Sequence, residues 1–207
     1  MKRRILQWII VVGISVVSVL ALRYWWWEVF KVPTESMVPT FLVNDRVLTN
    51  KMAYKTLTGS SVPQKGDVVV FVHPKDQRLY IKRVIGQPND RVLILGPRVW
   101  VNGELLETAT AGKSESALSS VQQTNLVVSN VQLSNGRSYR TVVSTNPHQM
   151  WNMSGYWIVA PNHIFVLGDW RDHSSDSREW GDVPLNNVVG RAQCYWGDRT
   201  SFTCQGL

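Results

Sequence analysis

Apolar residues are distributed in two different ways along the chain. From Ile5 to Leu22 they dominate an uncharged run, ILQWIIVVGISVVSVLAL, whereas beyond residue 28 they occur in short runs separated by Gly, Pro, Asn and Asp. The first pattern is long enough for a helix that crosses a bilayer, and the second is typical of β-strands joined by turns. We therefore predict one N-terminal transmembrane helix followed by a mostly β domain.

Nine segments of this domain carry the strand pattern. They are Arg46–Asn50, Asp67–Val72, Leu79–Ile85, Arg91–Leu95, Val99–Val101, Tyr139–Val143, Tyr156–Val159, His163–Gly168 and Val188–Trp196. Asn-Gly pairs at residues 102–103 and 135–136 lie between β-prone flanks, which predicts two type I′ hairpin turns. We interpret residues 96–153 as an inserted β and loop region that interrupts a core formed by residues 28–95 and 154–207.

Residues at the two ends of the apolar run predict its orientation. The basic residues 2–4 precede the run and favour a cytoplasmic N-terminus, while the aromatic residues 24–27 suit the outer interface, although Arg23 reduces the charge asymmetry. A cleaved secretory signal peptide is the alternative, but no small-x-small cleavage site follows the run. We predict that residues 1–4 are cytoplasmic, that residues 5–22 anchor the chain, and that the remainder lies outside the cytoplasm.

Charge and residue spacing narrow the classes of function. The 207-residue chain has a formal net charge of +7, but its Lys and Arg residues are scattered and form no nucleic-acid-binding motif, so a membrane surface accounts for the excess better. Cys194 and Cys204 fit neither a redox motif nor a zinc site, and they are either disulfide-bonded or unpaired. The four His residues lack metal-ligand spacing, so we expect no metal and no cofactor.

Ser36 and Lys82 are the candidate catalytic residues. Ser36 lies in PTESMVPT, where two prolines exclude a regular helix and stiffen the loop. No serine has a GxSxG motif, and no His lies in a run organised for chemistry, so a lysine is the alternative base. Lys82 lies in the apolar strand YIKRVIG, where burial lowers a lysine pKa from about 10.4 toward neutrality. Taken alone, each residue also fits a structural role, as a turn serine or as a lysine that reaches solvent from an edge strand.

A third segment, GDWRDHSSDSREWG from Gly168 to Gly181, follows an apolar strand and concentrates charged residues and serines. Together with the N-terminal run, PTESMVPT and YIKRVIGQPND, it resembles the type I signal peptidases, membrane-bound Ser/Lys endopeptidases that remove signal peptides from exported proteins. The resemblance extends to about Ala192 and does not include the middle of the chain. It implies a mostly β fold in which an antiparallel β-sheet catalytic core carries a smaller inserted β region and follows one transmembrane helix.

The resemblance also implies the chemistry. Ser36 is expected to be the nucleophile, and Lys82 the general base that takes its proton and returns it to the leaving amine. The hydroxyl of Thr34, at a position where the family has serine, and the backbone N–H of Ser36 are expected to form the oxyanion hole. Threonine keeps the hydroxyl but restricts its rotamers.

Four residues of the third segment are expected to support this pair. Ser174 matches the serine that orients the lysine ammonium, Asp176 and Arg178 match a structural ion pair, and Asp169 matches a further acidic position of the motif. The chain departs from the family pattern at Trp170, His173 and Asn89. Pro88 followed by Asn89 still fits a type II turn, because Asn tolerates the positive φ that this turn requires.

The resemblance implies three partners: the signal peptides of exported preproteins, the lipid bilayer and the protein-export machinery. No nucleic acid is expected. The implied location is the plasma or inner membrane, with a single span and an extracytoplasmic catalytic domain. Two other functions are alternatives: a specialised relative that processes a narrow substrate such as a pilin, and a catalytically silent membrane module that binds peptides.

Overall fold

The computed structural model describes residues 2–56, 59–106, 110–112, 126–144, 154–198 and 201–204. Its helices and strands, in chain order, are α1 (Lys2–Trp26), β1 (Trp27–Lys31), β2 (Arg46–Asn50), β3 (Lys55–Thr56), β4 (Gly59–Ser60), β5 (Val68–Val72), β6 (Leu79–Gly86), β7 (Arg91–Leu95), β8 (Arg98–Val101), β9 (Glu104–Leu105), β10 (Thr110–Gly112), β11 (Leu126–Gln132), β12 (Ser138–Ser144), β13 (Gly155–Ile158), β14 (His163–Leu167), α2 (Ser177–Trp180), β15 (Val183–Pro184) and β16 (Val188–Trp196). The prediction of a mostly β fold is confirmed.

The largest sheet has seven antiparallel strands in the order β1-β2-β16-β5-β6-β14-β15. Its middle strand in space, β5, is nearly all valine and almost completely buried, because neighbouring elements cover both of its faces. β16 comes last in the chain but lies between β2 and β5, so it joins the β1–β2 hairpin to the β5–β6 hairpin.

One row of paired residues crosses five strands of this sheet. Trp27 pairs with Asn50, Asn50 with Arg191, Arg191 with Val69, and Val69 with Lys82. Trp27 directly follows α1, so Lys82 lies at the same height along the strands as the end of that helix. Four inter-strand steps of about 4.8 Å put Lys82 roughly 19 Å along the sheet from Trp27.

The remaining strands form three smaller sheets. The four-stranded sheet has the order β13-β7-β8-β9, the three-stranded sheet has the order β10-β11-β12, and β3 pairs with β4. A shared core joins the first two of these to the large sheet: Ile85 and Phe165 from the large sheet pack with Val92 from β7 and Val131 from β11. The four-stranded sheet combines β7 and β13, which belong to the predicted core, with β8 and β9, which belong to the predicted insertion at residues 96–153.

The turn predictions have different outcomes. Asn102 and Gly103 have φ values of 55° and 87°, as a type I′ hairpin requires, and Asn89 has the expected positive φ of 70°. The type I′ prediction at residues 135–136 is wrong. There the β11–β12 connection is longer, only Gly136 has a positive φ, and its N–H donates to Leu133 O at 3.0 Å.

Helix α1 covers the predicted anchor. Among the residues that the structure describes, none of the helices combines the length and the hydropathy needed to cross a membrane.

The two cysteines are bonded. Cys194 of β16 forms a disulfide with Cys204, which decides between the bonded and unpaired states that the sequence left open.

Gly190 allows β16 to approach β2 closely, and we predict that Gly190→Ala destabilises the fold. A Cβ at this position would lie 2.8 Å from the carbonyl carbon of Asn50 and 2.9 Å from Cα of Lys51, so backbone would have to move. Overpacking of this kind typically costs about 1–3 kcal/mol. Denaturant unfolding of the full chain in detergent measures the loss. Gly13→Ala is the control, because no atom lies within 4 Å of its added Cβ; equal stability of both variants would contradict the prediction.

Candidate active site

Ser36 lies in a single turn of 3₁₀ helix, Glu35–Met37, between extended residues on both sides. Met37 and Phe41 are fully buried, and the Phe41 N–H donates to Met37 O at 2.9 Å, which fixes the loop onto the core. Ser36 is consequently buried as well, with 7% of its surface exposed. The two prolines predicted an irregular loop, and the structure contains one.

Lys82 lies in β6, and its side chain reaches Ser36. Its Nζ donates to Ser36 Oγ at 2.5 Å, and only 3% of the residue is exposed. Burial lowers the pKa of Lys82 from 10.5 to about 8, although the carboxylates of Asp176 and Asp169 act in the opposite direction. The structure therefore brings together the hydroxyl and the amine that the sequence suggested as a dyad.

Thr34 lies beside Ser36 at the mouth of the site. Its Oγ1 is 3.2 Å from Ser36 Oγ, and either hydroxyl can be the donor. Ser36 occupies the first turn of its 3₁₀ helix, where backbone N–H groups lack intrahelical partners. A hydroxyl and an N–H of this kind can donate to an oxygen bound between them.

Asp176 organises the segment from Gly168 to Gly181. Its carboxylate accepts hydrogen bonds from the Gly168 N–H at 3.0 Å, from Ser174 Oγ at 2.8 Å and from both Nε and Nη2 of Arg178 at 2.7 Å. Asp176 is completely buried, and this many donors keep its charge satisfied. Since the described hydrogen bond of Ser174 goes to Asp176, the orientation of Lys82 by Ser174 stays a prediction.

Asp169 forms a buried ion pair with Arg83, the residue that follows Lys82. Arg83 Nε donates to Oδ1 at 2.8 Å and Nη2 donates to Oδ2 at 2.7 Å, while Thr40 Oγ1 also donates to Oδ2. Arg83 and Asp169 are 1% and 0% exposed. Arg83 was not among the predicted site residues. A charged residue in an apolar strand was the available signal, because a buried charge requires a partner.

Gly168 allows two loops of the site to touch. A Cβ at this position would lie 2.5 Å from the carbonyl oxygen of Ser36 and 2.5 Å from Cβ of Ser174. Sequence reasoning did not assign a role to this glycine. Its φ is ordinary, so close packing rather than backbone conformation is the reason for a glycine here.

The Ser36 hydroxyl and the Lys82 amine open into a cleft of about 530 Å³. Its lining includes Phe30, Val32, Ile81, Tyr80 and His173. A mostly apolar cleft of this size can hold a few residues of an extended peptide. No group of three or more side chains able to hold a metal ion occurs in the part of the chain that the structure describes.

Comparison with known proteins gives matches to a family model, to curated relatives and to a solved structure. The sequence model of the family described as "Signal peptidase, peptidase S26" matches residues 5–196. Signal peptidase I of Pseudomonas aeruginosa is 34% identical in an alignment of 198 positions, gaps included, that covers 86% of this chain and 67% of that protein. Signal peptidase I of Leptolyngbya laminosa is 32% identical in an alignment of 190 positions that covers 87% of this chain and 74% of that protein. The crystal structure of a signal peptidase I from Enterococcus faecalis has a TM-score of 0.38 at 23% identity, and the match covers 62% of this chain and 95% of that chain.

We predict that Lys82→Met stabilises the fold near neutral pH. The folded-state pKa of about 8 is below the ordinary 10.5, so the unfolded chain binds more protons between these values and stability rises with pH across that window. Below pH 8 the full cost of burying the amine remains, and its removal is expected to raise the free energy of unfolding by about 1–3 kcal/mol. Denaturant unfolding at pH 7 and pH 10 measures both values. The prediction would be contradicted if the free energies of unfolding of the parent and the variant differed by the same amount at pH 7 and at pH 10.

Proposed function

The chain belongs to the signal peptidase family, peptidase S26, and we propose that it is an endopeptidase that removes N-terminal signal peptides from exported proteins, with Ser36 as nucleophile and Lys82 as general base. The observation that carries this proposal is the 2.5 Å contact between Lys82 Nζ and Ser36 Oγ in a buried setting beside an open cleft. Nucleophile and base within hydrogen-bond distance are the geometry that covalent catalysis needs.

The lowered pKa of Lys82 makes it a usable base. With a pKa of about 8, roughly one molecule in ten carries neutral Lys82 at pH 7, against about one in 3,000 at the ordinary value. Neutral Lys82 accepts the Ser36 proton while Oγ attacks the scissile carbonyl carbon. The amine proton then passes to the leaving nitrogen as the C–N bond breaks, and an acyl-enzyme remains. Water, deprotonated by Lys82, hydrolyses this ester and regenerates Ser36.

The tetrahedral intermediates place negative charge on the former carbonyl oxygen. We assign its stabilisation to the Ser36 N–H and the Thr34 hydroxyl, whose oxygen is 3.2 Å from Ser36 Oγ. Donors fixed in place before the reaction stabilise the charge without a reorganisation cost. Ser174, Asp169, Asp176 and Arg178 are assigned a supporting role, because the contacts of Asp176 and Asp169 position the loop that surrounds Lys82.

The cleft supports a substrate in extended conformation. Its apolar lining and open shape suit small side chains at the first and third positions before the scissile bond, as the family resemblance implies. Tyr80 and Ile81 of β6 line the cleft together with Phe30 and Val32. Signal peptides of exported preproteins are the proposed substrates.

We also propose that residues 5–22 anchor the protein in the plasma or inner membrane, with residues 1–4 in the cytoplasm. The described part of α1 exposes a series of large apolar side chains, Trp8, Ile9, Ile10, Val11, Val12, Ile14, Val16 and Val17. Such exposure is unfavourable in water and favourable in lipid. Because Lys82 is level with the end of α1, this anchor would place the active site near the outer bilayer surface, where the lipid bilayer and the protein-export machinery are the expected partners.

Two of the sheets support a division into a catalytic core and an inserted region, whereas the four-stranded sheet combines strands of both. All strands of the seven-stranded sheet come from residues 28–95 and 154–207, apart from the first residue of β1. The three-stranded sheet lies entirely within residues 96–153. We propose that the core carries the chemistry and that the inserted region supports it.

We predict that Ser36→Ala and Lys82→Arg each abolish cleavage of a precursor with an Ala-x-Ala site. The first variant lacks the nucleophile, and the second replaces the base with a guanidinium that stays protonated. The full chain is incubated with the precursor in lipid-containing detergent, and mass spectrometry identifies the product.

Two exposed positions provide matched controls, Ser134→Ala and Lys75→Arg, which are expected to cleave at the parent rate. Cleavage of several unrelated precursors distinguishes a general signal peptidase from a narrow-substrate relative. An intact precursor with the folded parent would contradict the peptidase proposal and favour a silent peptide-binding module.

A third set of variants tests the oxyanion donor. Thr34→Val removes the hydroxyl and keeps the shape, so we predict that kcat falls about 10²- to 10³-fold, whereas Thr34→Ser retains most activity. Steady-state kinetics on one precursor measures both. Equal kcat values for the parent and Thr34→Val would remove Thr34 from the oxyanion hole.

A further inference from the structure

The β11–β12 hairpin, residues Leu126–Ser144, contacts the motif beside the active site through its backbone. The Val142 N–H donates to Asp169 O at 2.8 Å, and the Arg171 N–H donates to Val142 O at 2.9 Å. These two bonds form a parallel bridge between Val142 and Trp170. Because Trp170 lies between Asp169 and Arg171, the two bonds hold it against the hairpin.

Trp170 continues this connection to the nucleophile. Its N–H donates to the carbonyl oxygen of Ser36 at 3.1 Å, and its side chain is 1% exposed. The indole packs in one cluster with Val38, two residues after Ser36, and with Val128 and Val142 of the hairpin. Trp170 therefore contacts both the backbone of Ser36 and the side chain of Val38.

The hairpin also reaches the strand of the general base. The guanidinium of Arg83 lies 4.1 Å from the centre of the Tyr139 ring of β12, and Arg83 is bound to Asp169. Arg83 directly follows Lys82. One hairpin therefore contacts the neighbours of both proposed catalytic residues.

We infer that the β11–β12 hairpin is a positioning element of the active site, with Trp170 as the residue through which it holds Ser36 within hydrogen-bond distance of Lys82. The inference rests on the proposed Ser36–Lys82 chemistry. The hairpin lies outside the three motifs that predicted the site residues, and Trp170 is one of the departures from the family pattern.

Packing explains why the indole sets this geometry. Trp170 is among the largest fully buried side chains of the described residues, and it fills the space between the Val38 loop and the hairpin. Protein interiors are densely packed, so removal of the ring lets the Ser36 loop move toward the cavity. A displacement of about 1 Å at a reacting group is enough to reduce a rate about 10²-fold.

Kinetics with three variants test the inference. We expect Trp170→Ala to lower kcat about 10- to 100-fold with KM changed less than about twofold, because the ring does not line the cleft. Trp170→Phe retains a large ring and is expected to recover most of the loss. Trp157→Ala is the matched control, since Trp157 packs against Phe165 in another cluster, and it is expected to keep the parent kcat.

A second readout does not depend on peptidase activity. Cyanate carbamylates neutral amines, and its rate at Lys82, followed by mass spectrometry of the peptide that contains it, reports the pKa of Lys82. The groups that act on this amine are Ser36 Oγ, the Tyr80 ring at 6.0 Å, the carboxylates of Asp176 and Asp169, and Arg178. In Trp170→Ala, movement of the Ser36 loop away from Lys82 is expected to expose the amine to water and to shift the midpoint of the rate from about pH 8 toward 10.5.

The outcomes separate the two proposals. An alkaline shift of the Lys82 midpoint in Trp170→Ala but not in Trp157→Ala supports the positioning role even if no precursor is cleaved, and lack of cleavage by the parent overturns only the proposed function. Parent-like kcat and an unshifted midpoint in a folded Trp170→Ala would overturn the inference. If Trp170→Ala fails to fold, Val142→Ala removes side-chain atoms from the same cluster, and a parent-like kcat with an unshifted midpoint in that variant would overturn the inference.

Discussion

The buried ion pair between Arg83 and Asp169 is the contact on which the arrangement of the site depends. It connects the strand that carries Lys82 to the motif that surrounds it, and Thr40 brings the end of the Ser36 loop to the same carboxylate. Breaking a buried pair by removing one partner typically costs about 3–5 kcal/mol, because an uncompensated charge remains. Alternative registers between these segments are disfavoured for the same reason, so three distant parts of the chain meet in one way.

The same charges explain how a lysine can be buried between two carboxylates and still have a lowered pKa. Asp169 is already paired with Arg83, and Asp176 with Arg178. Each carboxylate therefore attracts Lys82 less than a free one would, while burial continues to disfavour the ammonium. Arg178 also lowers the pKa of Lys82 directly, although it has no chemical step in the proposed mechanism.

Local sequence patterns predicted nine of the sixteen strands among the described residues, and three motifs predicted the residues that meet at the site. Alternation in YIKRVIG placed Lys82 in a strand, and two prolines placed Ser36 in a loop. Weakly patterned segments were missed, such as β1, which follows the aromatic cluster without a break, and β11, whose LVVSNVQ has polar residues on both faces. Arg83, Gly168 and Trp170 were missed as positioning residues because their roles depend on contacts between segments distant in the chain. Periodicity reports only which face of an element is buried, and not what covers it.

The position of β16 has a consequence for how the large sheet forms. This strand lies between β2 and β5, yet it is the last strand in chain order among the residues that the structure describes. It alone hydrogen-bonds to both hairpins of that sheet, β1–β2 and β5–β6, although Val47 of β2 and Val68 of β5 also pack in one cluster. The sheet therefore closes only when β16 returns to strands that precede it by more than 100 residues, and pairing of such high contact order is intrinsically slow to form.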